Sequence, residues 1–271
     1  MLRRNVTAGA LVIAGISLVV LGRLVDRMIF YPERGAAMRP SDLGIAGEDA
    51  HIVAEDGVNI HAFFLPNQGA TRAILFLHGN AGNASHRLPN AAMLAQLGTH
   101  VLLLDYRGYG LSEGRPSEAG VYADARAGLD HIARNIGIPE RRTVIFGRSL
   151  GGAVAVDLAQ DRDLAGVILE STFPSVAAMV ESQMGRPIAW AMGSRFDSER
   201  KVRRVRAPLL FFHGDRDEIV PYALGRRLFA VAPEPREFET IHGAGHNDTV
   251  EVGGRPYFER IGRFLDEVAP P

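Results

Sequence analysis

The sequence predicts an α/β fold, a mostly parallel sheet with helices on both faces, and three observations carry that expectation. Short apolar runs rich in β-branched residues alternate with helical runs over most of the chain. A hairpin signal precedes them. At 271 residues, 46% hydrophobic and 23% charged, the chain can bury one large core without a second globular domain.

Taken in order, residues 50–65 alternate around Asp56-Gly57, which is hairpin chemistry. Strands are then expected at 73–77, 100–104, 143–146 and 166–169, separated by helices at 86–97, 117–135 and 150–160. Residues 171–206 break the rhythm: they carry Met179, Met184, Ile188, Trp190 and Met192, end in the basic residues Arg200, Lys201, Arg203, Arg204 and Arg206, and read as a compact lid inserted after one strand. The alternation resumes with a strand at 208–212, a helix after Pro221, a strand at 236–241 and a terminal helix from about 256 to 268.

Ahead of the sheet pattern, residues 6–21 form an uncharged run with Arg3 and Arg4 before it and Arg23 and Arg27 after it. The run is at the short end of what spans ~30 Å of hydrocarbon, and Leu24 and Val25 extend it if Arg23 snorkels. No small-x-small cleavage site follows, so an uncleaved anchor is expected rather than a signal peptide. The chain then divides into an anchor at 1–28, a connector at 29–48 and a folded domain at 49–271. This places the protein as a single-pass protein of the cell membrane with its domain on the extracytoplasmic side.

A formal net charge of −1 provides no basic field, so nucleic acid is not an expected partner. The absence of cysteine excludes disulfides, thiolate catalysis and cysteine-ligated metals. No histidine pair with a nearby carboxylate suggests a metal site except His242 and His246, which have a better use; neither metal nor cofactor is expected. Residues 79–82 are glycine-rich but lack the Gly-Lys-Ser/Thr ending of a phosphate loop.

The chemistry centres on Gly147-Arg148-Ser149-Leu150-Gly151, placed between an expected strand and an expected helix. A serine raised on a tight strand-to-helix turn needs small neighbours two residues either side, which Gly147 and Gly151 supply, and the turn aims the Leu150 N–H toward an oxyanion. A serine hydroxyl also needs a base and a carboxylate to orient that base. Asp217, past the strand at 208–212, and His246, in the loop Gly243-Ala244-Gly245-His246, both fall at strand ends where groups from separate strands converge. Asp215, Glu170 and His242 are competing choices. His78 and His213, each in a His-Gly step, read as structural.

These segments together make the chain resemble an α/β-hydrolase from Asp49 onward, and within that superfamily it is similar to membrane-anchored, small-lid esterases of lysophospholipase-like and depalmitoylase-like type. The resemblance implies Ser149 as nucleophile, Asp217 as orienting acid, since the family pattern counts three residues past Gly214, and His246 as general base. It matches the family's oxyanion loop to His78-Gly79-Asn80-Ala81-Gly82, so that the Asn80 N–H would partner that of Leu150. It also matches a site-bordering segment to Asp105-Tyr106-Arg107-Gly108-Tyr109. Tyr109, together with Met184 and Trp190 of the lid, is the expected substrate contact. The implied activity is hydrolysis of small-molecule or lipid acyl esters or thioesters through an acyl-enzyme. The alternatives are a serine peptidase of the same fold and a non-catalytic, membrane-tethered binding protein.

Overall fold

A computed structural model describes residues 26–271. The expected membrane helix at 6–21 lies outside the described residues, and among those described no helix is long and apolar enough to cross a membrane. The strands are β1 (Tyr31–Pro32), β2 (Glu48–Val53), β3 (Asn59–Leu65), β4 (Ala73–Leu77), β5 (Ala81–Gly82), β6 (His100–Leu104), β7 (Thr143–Arg148), β8 (Gly166–Glu170), β9 (Leu209–Gly214) and β10 (Arg236–Ile241). The helices are α1 (Leu88–Ala95), α2 (Glu118–His131), α3 (Leu150–Ala159), α4 (Val176–Met184), α5 (Arg186–Ala191), α6 (Ser198–Lys201), α7 (Tyr222–Val231) and α8 (Thr249–Val268).

Eight strands form one sheet in the order β10-β9-β8-β7-β4-β6-β3-β2, with β1 and β5 pairing separately. The hairpin β2–β3 is antiparallel and joins β6 antiparallel, and every other pairing in the sheet is parallel. The period-two alternation of a strand sorts the apolar side chains onto two cores. Leu75 and Leu77, Leu102 and Leu104, Ile145, Val167 and Leu169 meet α2, α3 and α7 on one face. Ile74 and Phe76, Val101 and Leu103, Val144 and Phe146, and Ile168 meet α1 and α8 on the other. The central strands are therefore buried on both sides, which is why they read as continuous apolar runs.

Two helical runs are interrupted for local reasons. The one expected at 86–97 divides into a 3-10 turn, Ala84–Arg87, and α1, because Pro89 is tolerated only in a first turn. The run Thr249–Val268 is two helical stretches joined at the non-helical Gly254 (φ 50°, ψ −141°), and the second, with Pro256 in its first turn, is the terminal helix expected from about 256.

Residues 29–48, read as a connector, begin inside the domain. Ile29 and Phe30 are buried in the core that includes α2 and α3. Tyr31 and Pro32 pair with Ala81 and Gly82, Glu33 N donates to the Gly82 carbonyl at 3.0 Å, and Asn83 Nδ2 donates to the carbonyls of Glu33 and Gly35 at 3.2 and 2.8 Å. Asp26, the first of the described residues, accepts a bond from Arg195 of the lid at 2.5 Å. The stretch is a strap across the loop that follows β4.

Candidate active site

The turn between β7 and α3 carries Ser149 at φ 53°, ψ −118°, a region that non-glycine residues rarely adopt. Its surroundings impose the strain from both sides: Ser149 N donates to the Glu170 carbonyl at 2.8 Å, and Thr172 Oγ1 donates to the Ser149 carbonyl at 2.9 Å. The flanking glycines are steric requirements. A Cβ on Gly151 would collide with the Leu77 and His78 carbonyl oxygens, and one on Gly147 would collide with the Gly151 carbonyl and Ala155.

Two of the candidate carboxylates belong to separate Asp–His pairs. Asp217 Oδ2 lies 2.8 Å from His246 Nδ1, with both residues buried near Ser149's end of the sheet. The other oxygen, Oδ1, accepts from the N–H groups of Ile219 and Val220 at 3.0 and 2.7 Å, while His213 Nε2 stands 3.3 Å from Oδ2. Burial acts to raise the Asp217 pKa, but the bonds from His213 and His246 outweigh it and hold the carboxylate below its usual range. Asp215 makes the corresponding bond to His242 at 2.9 Å on the exposed surface. Glu170, the third candidate, turns its carboxylate to Arg148, Thr249 and Tyr257 instead.

On the opposite flank, the loop after β4 reaches the serine: a Cβ on Gly79 would stand 3.4 Å from Ser149 Cβ and 3.9 Å from its Oγ. His78 Nδ1 donates to the Gly79 carbonyl at 2.7 Å. Because N–H and C=O point in opposite directions across a trans peptide, that bond fixes the direction in which the Asn80 N–H is presented. The Asn80 carbonyl is held by Tyr109 Oη at 2.7 Å and Tyr31 N at 3.1 Å, and its side chain donates to the Ile29 carbonyl at 2.9 Å. Behind His78, the Asp105 carboxylate accepts from Ala84 N at 2.8 Å and faces His61 Nδ1 at 3.4 Å and His78 Nε2 at 3.6 Å. Burial works to raise its pKa, yet these bonds lower it to about 2.

The sequence-predicted residues thus fall into three groups. Leu150 and Ser149 follow β7, Asn80 follows β4, Asp217 follows β9 and His246 follows β10, so all five stand past the carboxyl ends of parallel strands of one sheet. Tyr109, expected to touch the substrate, is fully buried with its hydroxyl on the Asn80 carbonyl. Trp190 and Met184, the expected substrate contacts of the lid, are 88% and 61% exposed. The basic run at the lid's exit is exposed apart from Lys201 and is partly paired with carboxylates. Lys201 meets Asp157 at 2.7 Å, and Arg200 and Arg204 pair with Asp197 and Asp161. Among the described residues, no group of three or more ligating side chains could hold a metal ion.

Comparison with known proteins accords with this arrangement. The family model described as serine aminopeptidase, S33, matches residues 68–198. A Mycobacterium tuberculosis protein, Rv2307c, is 37% identical over 96% of this chain and 93% of its own length. The α/β-hydrolase domain-containing protein WAV2 of Arabidopsis thaliana is 33% identical over 97% of this chain and 93% of its own. The chain belongs to the α/β-hydrolase superfamily. An esterase of Pyrococcus furiosus shares the fold of this α/β-hydrolase with a TM-score of 0.73 at 22% identity, covering 89% of this chain and 98% of that one. The protein is a hydrolase.

Two sets of residues in this hydrolase escaped the sequence reading. Arg148 and Glu170 form a buried pair beside the Ser149 turn, where the sequence offers Glu170 only as an alternative acid. Residues 29–35 support the Asn80 loop through pairing across about 50 positions, which leaves no local periodicity to read.

Proposed function

We propose that this hydrolase cleaves carboxylic esters or thioesters through an acyl-enzyme formed on Ser149, with His246 as general base and Asp217 as its orienting acid. The observation that carries the reading is the buried His246 Nδ1–Asp217 Oδ2 bond of 2.8 Å in a loop whose His246 carbonyl is bonded by Arg148, the neighbour of a serine held at positive φ. With Nδ1–H committed to Asp217, Nε2 is the free lone pair that takes the proton from Ser149 Oγ as the oxygen attacks the carbonyl. The developing oxyanion is received by the N–H groups of Asn80 and Leu150, the latter at the start of α3 where the helix dipole adds to the stabilisation. Each such donor contributes ~10²-fold or more in rate. The imidazolium then protonates the leaving group, and water repeats the sequence to release the acid.

A serine peptidase is the second reading, supported by the name of the family model that matches residues 68–198. A panel of p-nitrophenyl acyl esters against aminoacyl p-nitroanilides separates the two. Ester turnover without anilide cleavage supports the esterase, and the reverse assigns a peptidase. We further propose that the uncharged run at 6–21 tethers the domain to the membrane, with the domain on the extracytoplasmic side. Carbonate extraction of the full-length chain tests the tether and protease shaving of spheroplasts tests the side.

A further inference from the structure

Ser149 and His246 sit on different elements, so something must fix the distance between the nucleophile turn and the histidine loop. Arg148, the last residue of β7 and the neighbour of Ser149, does so directly. Its Nε donates to Glu170 Oε1 at 2.8 Å, and its Nη2 donates to the backbone carbonyl of His246. Glu170, the last residue of β8, is fully buried and takes three further bonds: Thr249 Oγ1 donates to Oε1 at 2.8 Å, Tyr257 Oη to Oε2, and Ser149 N to the Glu170 backbone carbonyl at 2.8 Å. Thr249 opens α8 three residues after His246, and Tyr257 lies one helical stretch further on. The turn, the strand beside it, the histidine loop and the last helix therefore meet at one guanidinium–carboxylate pair.

Resting on the assignment of Ser149 and His246 above, we propose that Arg148 is a positioning residue for the reaction, locking the His246 ring at the height over Ser149 that proton transfer requires. Burial of two opposite charges costs desolvation that an apolar pair of similar volume would avoid, so stability alone gives little reason for the pair. What an apolar pair cannot supply is a donor to the carbonyl of the residue that carries the base. Burial and the neighbouring Glu170 carboxylate push the Tyr257 hydroxyl well above its ordinary pKa, so it remains a donor to Glu170 throughout the working range. The Ser149 N–H bond to Glu170 makes the lock act on both partners at once: the same residue that orients Arg148 toward His246 holds the strained serine.

The test separates position from stability. The double variant Arg148→Met/Glu170→Gln removes both charges while leaving an amide oxygen to accept from one of the Thr249 and Tyr257 hydroxyls and an amide N–H to donate to the other, and Arg148→Lys keeps the charge but not the forked reach to His246. Melting temperature, steady-state kcat and KM on p-nitrophenyl butyrate, and the rate of fluorophosphonate labelling are measured for each. The expected result for the double variant is a melting temperature near wild type, KM within about twofold, and kcat and labelling both lowered by about 10²-fold, the scale of a misplaced catalytic group. Arg148→Lys should show the same split with a loss of about tenfold. Wild-type kcat in either folded variant, or a loss confined to KM, overturns the proposal. Ser149→Ala is run in parallel: if it alone abolishes turnover while the Arg148 variants do not lower kcat, only this inference fails. If Ser149→Ala retains turnover, the underlying reading fails with it.

Discussion

Asp217 Oδ2 and His246 Nδ1 are joined at 2.8 Å inside the domain, while two residues away Asp215 makes a bond of similar length to His242 at the surface. The two pairs are alike in chemistry and opposite in surroundings. The Asp217 carboxylate is shielded from water and accepts two backbone N–H groups, whereas Asp215 is exposed and accepts one, from Gly243. Asp217→Asn should therefore reduce kcat by about 10³-fold or more, since the amide no longer holds the tautomer that leaves Nε2 free. Asp215→Asn and His242→Ala should change kcat less than about threefold, because an exposed pair contributes little. Steady-state kinetics on the four variants, His246→Ala included, checks the ranking.

Ser149 at φ 53°, ψ −118° holds strain that glycine would not feel. Ser149→Gly should relax roughly 1–3 kcal/mol of it, partly offset by about 1 kcal/mol of added unfolded-state entropy, whereas Ser149→Ala keeps the strain. Both variants lose activity, and the glycine variant should melt a few degrees above the alanine variant in differential scanning calorimetry. Equal melting temperatures would show that the turn is not strained.

The Asp49–His61–Asp105 cluster gives stability a defined pH window. Burial opposes charge on His61, but its bonds to Asp105 and Asp49 prevail and raise its pKa above the usual 6.5. A raised histidine stabilises fully below its unfolded value and loses that contribution as pH climbs through the folded value. Asp105, lowered from 3.8 to about 2, stabilises fully above about 4 and loses its contribution as pH falls toward about 2. The cluster therefore contributes most between about pH 4 and 6.5. His61→Gln should lower the melting temperature most within that window, with the difference from wild type shrinking at alkaline pH.

Trp190 and Met184 are exposed on the lid, so shortening them should leave the melting temperature unchanged. If they grip the acyl chain, Trp190→Ala should lower kcat/KM for dodecanoyl esters by about tenfold and leave acetyl esters unaffected, since each CH₂ withdrawn from water contributes about 0.8 kcal/mol. Equal effects at all chain lengths would show that the lid does not touch the chain.

The parts of this molecule legible in the sequence are those with a local signature. Buried parallel strands read as apolar runs. Ser149, Asp217 and His246 stand just past strand ends, where a parallel sheet gathers its functional groups whatever their separation in sequence. Arg148 and Glu170 gave no such signal, because a charged residue at the end of a strand looks the same whether it faces water or a buried partner. The strap at 29–35 is defined by pairing to Ala81 and Gly82, and Tyr109 by a hydroxyl contact with Asn80; neither contact has a period. Trp190 and Met184 were read from composition alone, and composition does not say which way a lid residue points.

The most direct test of the account is covalent labelling of the wild-type protein with a fluorophosphonate, followed by peptide mapping of the adduct. The account predicts a single adduct on Ser149, formed at a rate that falls by at least about 10³-fold in His246→Ala and is abolished in Ser149→Ala. Labelling at another residue, or an undiminished rate in the His246 variant, would contradict it.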